Sequence, residues 1–499
     1  MLCLGLDSGT ASTRALVLDL DAGKVIATAR HEHVFVEGLP HGSVEQLPQT
    51  WIAAADDAVR ECLTAIGPRK SEIAAIGVSA QQHGLVVLDQ RNEPIRPAKL
   101  WCDTSTAVEA DELNRVFSGT EQMIERTGNV IVPGYTAPKL LWLKRQEPHN
   151  FSRIRTVLLP HDYLNFWLTG ERQMEYGDAS GTGLLNVPDR TWCQPLLDHI
   201  DEGLAAKLPP LGSSLKPVGL LRDTLRKEWG LQDEILVGAG SGDNMLGAIG
   251  TGNIKSGMVT ASLGSSGTVY SFSEAAVVDR KGEIALFCDA TQHWLLLACT
   301  MNVAVAIETV RTLFGWSVAE LETNISSVRA GSGGLMFLPY LQGERLPNLP
   351  GGSGVFHGLT TENMKPPYIA RAVVEGVTVG LAYGLKRLAD LGIEPAELRL
   401  TGGGSQSVAW RKIVADVFGY PTVVLKVAEG AALGAAIHAA WTFCQVKGKP
   451  IALERLVRDA VKTDRKTRTE PRKENQTLYR ELRARQADLT RTLGTAGYL

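Results

Sequence analysis

The chain has 499 residues with 51 Lys and Arg against 54 Asp and Glu, a formal net charge of −3, and is 44% hydrophobic and 21% charged. This balance excludes the strongly basic character typical of nucleic-acid or anionic-membrane partners. The length exceeds one ordinary hydrophobic core, so two or three domains are expected. Seven scattered cysteines form no CxxC pair, which favours reduced thiols and a cytoplasmic location.

The first elements in chain order predict a β-meander followed by a helix and another strand. "CLGLD" at 3–7 and "TRALVLDLD" at 13–21 read as two strands, and a turn leads into a third at 24–35. Apolar residues at helical spacing predict a helix over 49–66. The small residues of "IAAIGVSA" at 73–80 favour a strand that a ligand approaches closely.

The middle of the chain is predicted to be mostly helical over 104–125 and 136–168, and rich in loops over 185–230. The amino terminus lacks the pattern of a signal peptide. The longest apolar run, at 295–307, is too short to span a bilayer and contains Asn302. We therefore expect it to be a buried strand that runs into a helix, and we expect no membrane partner.

The second half of the chain repeats a turn motif of the first half. "SSGT" at 265–268 lies between two β-rich segments, as "DSGT" does at 7–10. A long helix is predicted near 368–391, before the strand and Gly-rich loop of "ELRLTGGGSQS". Two Gly/Ala-rich helices, "GDNMLGAIG" and "GAALGAAI", would let helix backbones approach closely.

The DSGT and SSGT turns allow two interpretations, since Asp, Ser and Gly are also ordinary turn formers. Either they only close hairpins, or their N–H groups and Asp7 face a metal-bound phosphate. No P-loop, complete dinucleotide fingerprint, zinc motif or serine-hydrolase elbow occurs in the chain. Two anion-binding turns with one acid indicate a nucleoside triphosphate site divided between two domains.

These motifs, with "EGAALGAAI", resemble those of the actin, Hsp70 and sugar-kinase superfamily. Within it, the chain is similar to the FGGY carbohydrate kinases over residues 1–445, most densely at 127–171 in the pattern of their D-xylulose-specific members. The resemblance implies an α/β fold of two actin-like (ribonuclease H-like) domains with an active-site cleft between them. The expected boundaries are an N-terminal domain at 1–240, a C-terminal domain at 241–445 and a charged helical extension at 446–499.

The resemblance also implies roles for the residues on these motifs. Asp243 matches the acid that takes the proton of the sugar hydroxyl; its alternative interpretation is a helix N-cap. Asp7 matches the second catalytic acid, which holds Mg²⁺ through water. The residues that match the ATP-binding turns and adenosine loop are Gly9, Thr10, Gly264, Ser266, Gly267, Thr268, Gly402, Gly403, Gly404 and Ser405.

Sugar binding is expected at Gln82, His83, Trp101, Asp103 and Asp243. The alternatives are that His83 is a structural histidine, that Trp101 belongs to the core, and that the Gln82 amide points to solvent. The chain departs from the family in two places, with Gln82 where Met is usual and Ser105 where an Arg is usual. The second departure leads us to expect that Asp103 lacks its usual cationic partner.

The expected activity is ATP-dependent phosphorylation of a ketopentose, with D-xylulose as the substrate and Mg²⁺ as the metal. A kinase of another ketose or polyol, such as ribulose or ribitol, is the alternative within the class. A non-kinase ATPase of the same fold is the alternative from another class. A homodimer is expected from the resemblance alone, and the charged tail at 455–490 is predicted to be a solvated helix because acids and bases alternate there.

Overall fold

The chain divides into two folding units, each assembled from segments that are distant in sequence. The computed structural model describes residues 1–231 and 234–499. The first unit contains residues 1–254, 273–295 and 429–462, and the second contains 255–272, 296–428 and 463–499. The units therefore interleave along the chain, and the boundaries expected at 240 and 445 stay a prediction about sequence domains.

A mixed seven-stranded sheet forms the centre of the first unit. Leu2–Ser8 pairs antiparallel with Ser12–Asp19 and parallel with Ile73–Ala80. The meander predicted from the first 35 residues is confirmed by these pairings. The strands follow the order Gly219–Leu220, Leu236–Val237, Ile73–Ala80, Leu2–Ser8, Ser12–Asp19 and Lys24–Glu32, and Ser241–Gly242 also pairs with Ile73–Ala80.

Helices and short strand pairs surround this sheet. Pro48–Ile66 begins with proline at its first position and ends at Gly67, and its buried face includes Trp51, Ala55 and Val59. The other helices are Ala107–Leu113, Thr120–Thr127, Thr136–Gln146, Pro148–Ser152, Pro160–Thr169, Tyr176–Ala179, Gln194–Ile200, Asp223–Glu228, Asp243–Thr251, Gly430–Val446 and Leu453–Ala460. The short strand pairs are Glu45–Gln46 with Ala98–Lys99, Val86–Leu88 with Thr156–Leu158, Met174–Glu175 with Leu211–Gly212, and Leu185–Asn186 with Thr191–Trp192. The strand Ala285–Cys288 also lies in this unit.

The two Gly/Ala-rich helices, Asp243–Thr251 and Gly430–Val446, pack against each other inside the first unit. A Cβ atom on Gly250 would lie 1.7 Å from the Gly430 carbonyl oxygen, and one on Gly434 would lie 1.8 Å from that of Leu246. Any side chain at these positions would push the helices apart. The close approach predicted from the sequence is confirmed.

The second unit contains another mixed sheet. Its strands follow the order Trp294–Thr300, Gly267–Ser273, Met258–Leu263, Glu397–Thr401, Thr422–Leu425 and Thr463–Thr469. The same unit contains a separate hairpin, in which Met336–Pro339 pairs antiparallel with Gly354–His357. The helices are Ala304–Leu313, Val318–Ser327, Pro366–Asp390, Val408–Phe418 and Lys473–Thr495. The apolar run at 295–307 is a strand leading into a helix, as predicted.

The charged tail corrects the prediction of one solvated helix. Thr463–Thr469 is a strand that pairs antiparallel with Thr422–Leu425 at the sheet edge, and the helix Lys473–Thr495 follows it. Charged residues are common on edge strands because they discourage further pairing, so a charge-rich segment is compatible with this place. The helix is also not solvated throughout, since Tyr479 and Leu482 are buried.

By length and composition alone, the helix Pro366–Asp390 is long and apolar enough to cross a membrane. In this structure 78% of its most apolar stretch is buried inside the protein. Such burial is typical of a central helix in a packed unit. Length and composition alone do not distinguish a helix of that kind from one that spans a membrane.

Candidate functional site

Three strands of the first unit end together and bring polar residues to one sheet edge. In the parallel pairings, Asp7 lies opposite Ser79, and Ser241 also lies opposite Ser79 from the other side. The carboxyl ends of parallel strands are where α/β proteins place their ligands. Asp243 follows this edge directly, as the first residue of its helix.

The half-buried Asp243 carboxylate is perturbed by its surroundings. Burial first, and the negative charge of Asp7 second, raise the pKa of Asp243 to about 7. The Asn244 amide donates to Asp243 Oδ1 at 2.8 Å. The N-cap of this helix is Gly242, so the capping alternative for Asp243 does not describe its position. A carboxylate that titrates near neutrality is suited to accept a proton from a substrate.

Asp7 is 8% exposed, and Ser79 Oγ donates to its Oδ1 at 2.9 Å. Burial raises the pKa of this carboxyl, against the opposing effects of Ser79 and Arg14. No described residue donates to its second oxygen, Oδ2. An oxygen ligand beside a second carboxylate is the donor type that Mg²⁺ takes, so the residues present fit that ion.

Gln82 is buried, and its amide does not point to solvent as one alternative had it. Its side chain is 4% exposed, and Oε1 accepts a hydrogen bond from Asn244 Nδ2 at 3.1 Å. Its Nε2 is buried and has no hydrogen-bond partner among the described residues. Gln82 therefore has a donor left over beside Asn244, which also contacts Asp243.

His83 has a backbone φ of 66°, in the left-handed region that few residues other than glycine adopt. Its carbonyl oxygen accepts from Lys139 Nζ at 2.8 Å and Thr136 Oγ1 at 3.1 Å, which holds this backbone in place. The ring lies 4.7 Å from that of Tyr135, and a Cβ on Gly181 would approach its Nδ1 to 2.4 Å. Strained residues of this kind concentrate at functional sites.

Trp101 and Asp103 are tied to the protein rather than left open. The Trp101 indole donates to Thr10 Oγ1 at 2.8 Å. Asp103 is fully buried, and its oxygens accept from Lys99, from the Val44 backbone, and from both the backbone and the hydroxyl of Ser105. The expectation that Asp103 lacks a cation is wrong, because Lys99 Nζ lies 3.0 Å away.

In the first hairpin turn, polar groups of Gly9 and Thr10 form hydrogen bonds with other groups of the protein. The Gly9 N–H donates to the Ser12 carbonyl within the turn, at 3.1 Å. The Thr10 carbonyl accepts from Gln46 Nε2 at 2.9 Å, and its hydroxyl accepts from Trp101. This N–H of Gly9 is therefore engaged inside the turn.

The second hairpin turn is anchored to the start of the helix Ala304–Leu313. The Gly264 carbonyl accepts from the Ala304 N–H at 2.9 Å, and the Ser265 carbonyl accepts from Val303 at 3.1 Å. A Cβ on Gly267 would lie 2.6 Å from Leu381 Cδ2. Ser266 and Thr268 are half-buried on the same turn.

The three glycines of the predicted adenosine loop differ in their surroundings. Gly402 has a φ of 82°, and its Cβ would lie 2.8 Å from the Leu263 backbone. A Cβ on Gly404 would lie 2.1 Å from the Trp410 ring, whereas one on Gly403 would meet nothing within 4 Å. The Ser405 hydroxyl donates to the Gly402 carbonyl at 2.7 Å. Protein packing thus explains Gly402 and Gly404, and only Gly403 faces open space.

The structure brings Asp7, Gln82 and Asp243 to one region of the first unit, and the Gly264 turn and Gly402 loop to one region of the second. The sequence analysis missed Ser79, Asn244 and Gly181, which position these side chains. Ser79 had a weak signal, as a polar residue near the end of an apolar strand. Gly181 had none, because its neighbours lie about a hundred residues away in the chain.

Known proteins with this architecture identify the family. The structure superposes with a TM-score of 0.91 on a protein described as a xyloylose kinase from Brucella ovis, at 33% identity over 99% of this chain and 100% of that one. A xylulose kinase of Haemophilus influenzae is 38% identical over 88% of this chain and 90% of its own. One from Escherichia coli is 35% identical over 90% of both.

The family descriptions cover both halves of the chain. The N-terminal domain of the FGGY family of carbohydrate kinases matches residues 2–250, and the C-terminal domain of that family matches residues 260–443. Together these two matches cover most of the chain. The chain belongs to the FGGY family of carbohydrate kinases.

Proposed function

We propose that this chain transfers the γ-phosphoryl group of ATP to D-xylulose and produces D-xylulose 5-phosphate and ADP. The observation that carries the proposal is the Asp243 carboxylate, whose pKa is raised to about 7 at the edge where three strands end. The similarity to proteins named xylulose kinase, at 35–38% identity, supports the choice of sugar.

In this reaction the Asp243 carboxylate accepts the proton of the primary hydroxyl on C5. The hydroxyl oxygen forms a bond to the γ-phosphorus while the bond from that phosphorus to the β–γ bridging oxygen breaks, and ADP leaves with the electron pair. Phosphoryl transfer requires little covalent chemistry from a protein, so positioning the hydroxyl beside one base supplies most of what is needed. Asn244 holds the base in place through its 2.8 Å hydrogen bond.

Magnesium, when bound, neutralises charge on the phosphates. Asp7 is the residue we assign to it, through water, because its Oδ2 accepts no hydrogen bond from a described residue and Ser79 fixes the other oxygen. The same carboxylate raises the pKa of Asp243, so a cation at Asp7 would favour the ionised base.

For the sugar, we propose that Gln82 Nε2 donates a hydrogen bond to a sugar hydroxyl oxygen, with His83 and Trp101 completing the pocket. We include Gln82 because its Nε2 is buried and has no hydrogen-bond partner among the described residues. We leave Asp103 out, since four donors already occupy the roughly four lone-pair positions that a carboxylate offers.

For the nucleotide, we propose the turn from Gly264 to Thr268 and the open face of Gly403. The Gly9–Thr10 turn is assigned to the phosphates through the resemblance. A cytoplasmic location is also proposed, since all seven cysteines are free thiols. The homodimer stays a prediction.

A coupled assay of ADP release tests the proposal. The purified chain with Mg·ATP should respond most strongly to D-xylulose, measured against D-ribulose, ribitol and a ketohexose at limiting concentration. ADP release without sugar should stay low. A higher specificity constant for D-ribulose or ribitol would contradict the choice of substrate, and sugar-independent ADP release would favour the non-kinase ATPase.

A further inference from the structure

A cluster of His161, Asp162 and Asp178 is buried in the first unit and takes no part in the proposed reaction. His161 and Asp162 begin the helix Pro160–Thr169, and Asp178 lies in Tyr176–Ala179. The three side chains are 0–1% exposed. The cluster therefore contains two carboxylates that water does not reach.

The distances inside the cluster are longer than hydrogen bonds. His161 Nδ1 lies 3.4 Å from Asp162 Oδ1 and 3.7 Å from Asp178 Oδ2. Hydrogen bonds between nitrogen and oxygen measure about 2.7–3.2 Å. Two ligands of a tetrahedral ion, each about 2.1 Å from the ion, stand about 3.4 Å apart. The ligand atoms of all three residues lie within 4.8 Å of one another.

The polar atoms that face each other here are unsatisfied. His161 Nδ1, Asp162 Oδ1 and both oxygens of Asp178 have no hydrogen-bond partner among the described residues. Among the residues that the structure describes, neither aspartate forms an ion pair with a lysine or arginine. Two ionised carboxylates buried without a compensating cation are strongly unfavourable, and burial raises the pKa of both Asp162 and Asp178, so their charge is neutralised either by protons or by a bound cation.

The outer contacts orient these atoms as metal sites do. His161 Nε2 lies 2.6 Å from the Ala239 carbonyl oxygen, which can only accept, and 3.0 Å from Asn165 Nδ2; the shorter contact favours the tautomer with the proton on Nε2. In that tautomer Nδ1 faces the two carboxylates and can act as a metal ligand. Metal-binding histidines characteristically donate their other N–H to a carbonyl or carboxylate. The second oxygen of Asp162 is likewise fixed, by the Leu159 N–H at 2.9 Å.

We propose that His161, Asp162 and Asp178 bind a divalent transition-metal ion, of the zinc or manganese class, at a site separate from Asp7. One imidazole nitrogen with carboxylate oxygens is a donor set that suits these ions. A chain of hydrogen bonds connects this site to the reaction centre. Glu175 accepts the Asp178 N–H at 3.2 Å and the Ser241 hydroxyl at 2.6 Å, and Ser241 lies two residues before Asp243.

The test uses the full chain without nucleotide or sugar, so that its outcome does not depend on the proposed kinase activity. Protein stripped with a chelator is titrated with Zn²⁺ and, separately, Mn²⁺ by calorimetry, and metal content is measured after dialysis. We expect one equivalent of one of these ions to bind at this site and the thermal midpoint to rise. Asp178→Asn and His161→Gln should each weaken binding at least tenfold.

Two controls locate the ion. Asp289→Asn alters another buried aspartate of the same unit, whose oxygens are satisfied by Thr291 and His293, and should leave binding unchanged. Asp7→Asn should also retain the ion. If Asp178→Asn does not fold, X-ray absorption on the metal-loaded wild type still reports whether a histidine nitrogen is bound.

Three results would overturn the proposal. The first is wild-type protein that binds neither Zn²⁺ nor Mn²⁺. The second is an ion that is lost in Asp7→Asn but kept in His161→Gln. The third is an X-ray absorption spectrum of the metal-loaded wild type that shows no histidine nitrogen bound to the ion.

Discussion

The proposed sugar site of the first unit and the proposed nucleotide loop of the second are built from different parts of the polypeptide. In the first, charged and amide side chains meet, and Asn244 contacts both Asp243 and Gln82. In the second, glycines leave backbone exposed, and one of them, Gly403, faces open space. Chemistry therefore depends on side-chain identity in one region and on the absence of a Cβ atom in the other.

The largest expected effect is in the side-chain region. Asp243→Asn should reduce turnover by about 10²- to 10⁴-fold, the range for a lost general base, while sugar affinity and the thermal midpoint change little. Steady-state kinetics and calorimetry with the sugar measure both. Asp223→Asn is a matched control, since Asp223 is also the first residue of a helix. Near-normal turnover in Asp243→Asn would remove this carboxylate from the reaction.

A second prediction for the side-chain region concerns the pH dependence of kcat/KM. With the pKa of Asp243 raised to about 7, the base is protonated below that pH, so kcat/KM should fall about tenfold per pH unit in acid. Asp7→Asn removes a neighbouring negative charge and should lower the pKa of Asp243, which moves the acid limb to lower pH. The exposed Asp198→Asn should leave its midpoint in place. An acid limb that stays fixed in Asp7→Asn would contradict the coupling of the two carboxylates.

In the glycine region, two neighbours should respond differently to the same substitution. Gly404→Ala places a Cβ against the Trp410 ring, which Thr378 holds by a 2.9 Å hydrogen bond, and should cost about 1–3 kcal/mol of unfolding free energy. Gly403→Ala should leave stability unchanged and raise the KM for ATP. Denaturant unfolding and ATP kinetics check both variants. Equal stability losses would show that packing, and not the ligand, explains Gly403 as well.

The smallest expected effect is on selectivity. We expect D-xylulose to be the preferred substrate and a second ketose to be accepted. Gln82→Met should shift the ratio of their specificity constants toward D-xylulose by about fivefold, the value of one hydrogen bond of about 1 kcal/mol. The neighbouring Gln81→Met is the control, because the Gln81 amide donates to Gln46 instead. A ratio that Gln82→Met leaves unaltered would exclude Gln82 from sugar choice.

The sequence by itself determined the elements that local patterns encode. Alternation and turn residues located the meander of the first 35 residues, and the repeated turn at 265–268 located the second hairpin. Small residues in two helices predicted their close contact, because only glycine and alanine allow backbones to approach so far. The motifs at 7–10 and 402–404 also carried the resemblance that identified the family.

Tertiary structure alone decided which polar atoms meet, because their partners are far apart in the chain. Lys99 neutralises Asp103, although the sequence suggested a missing cation at residue 105. The tail strand Thr463–Thr469 depends on a sheet edge formed some forty residues earlier, so its own charges indicated a helix. The raised pKa of Asp243 likewise depends on Asp7, more than two hundred residues away, and on a burial that no local pattern encodes.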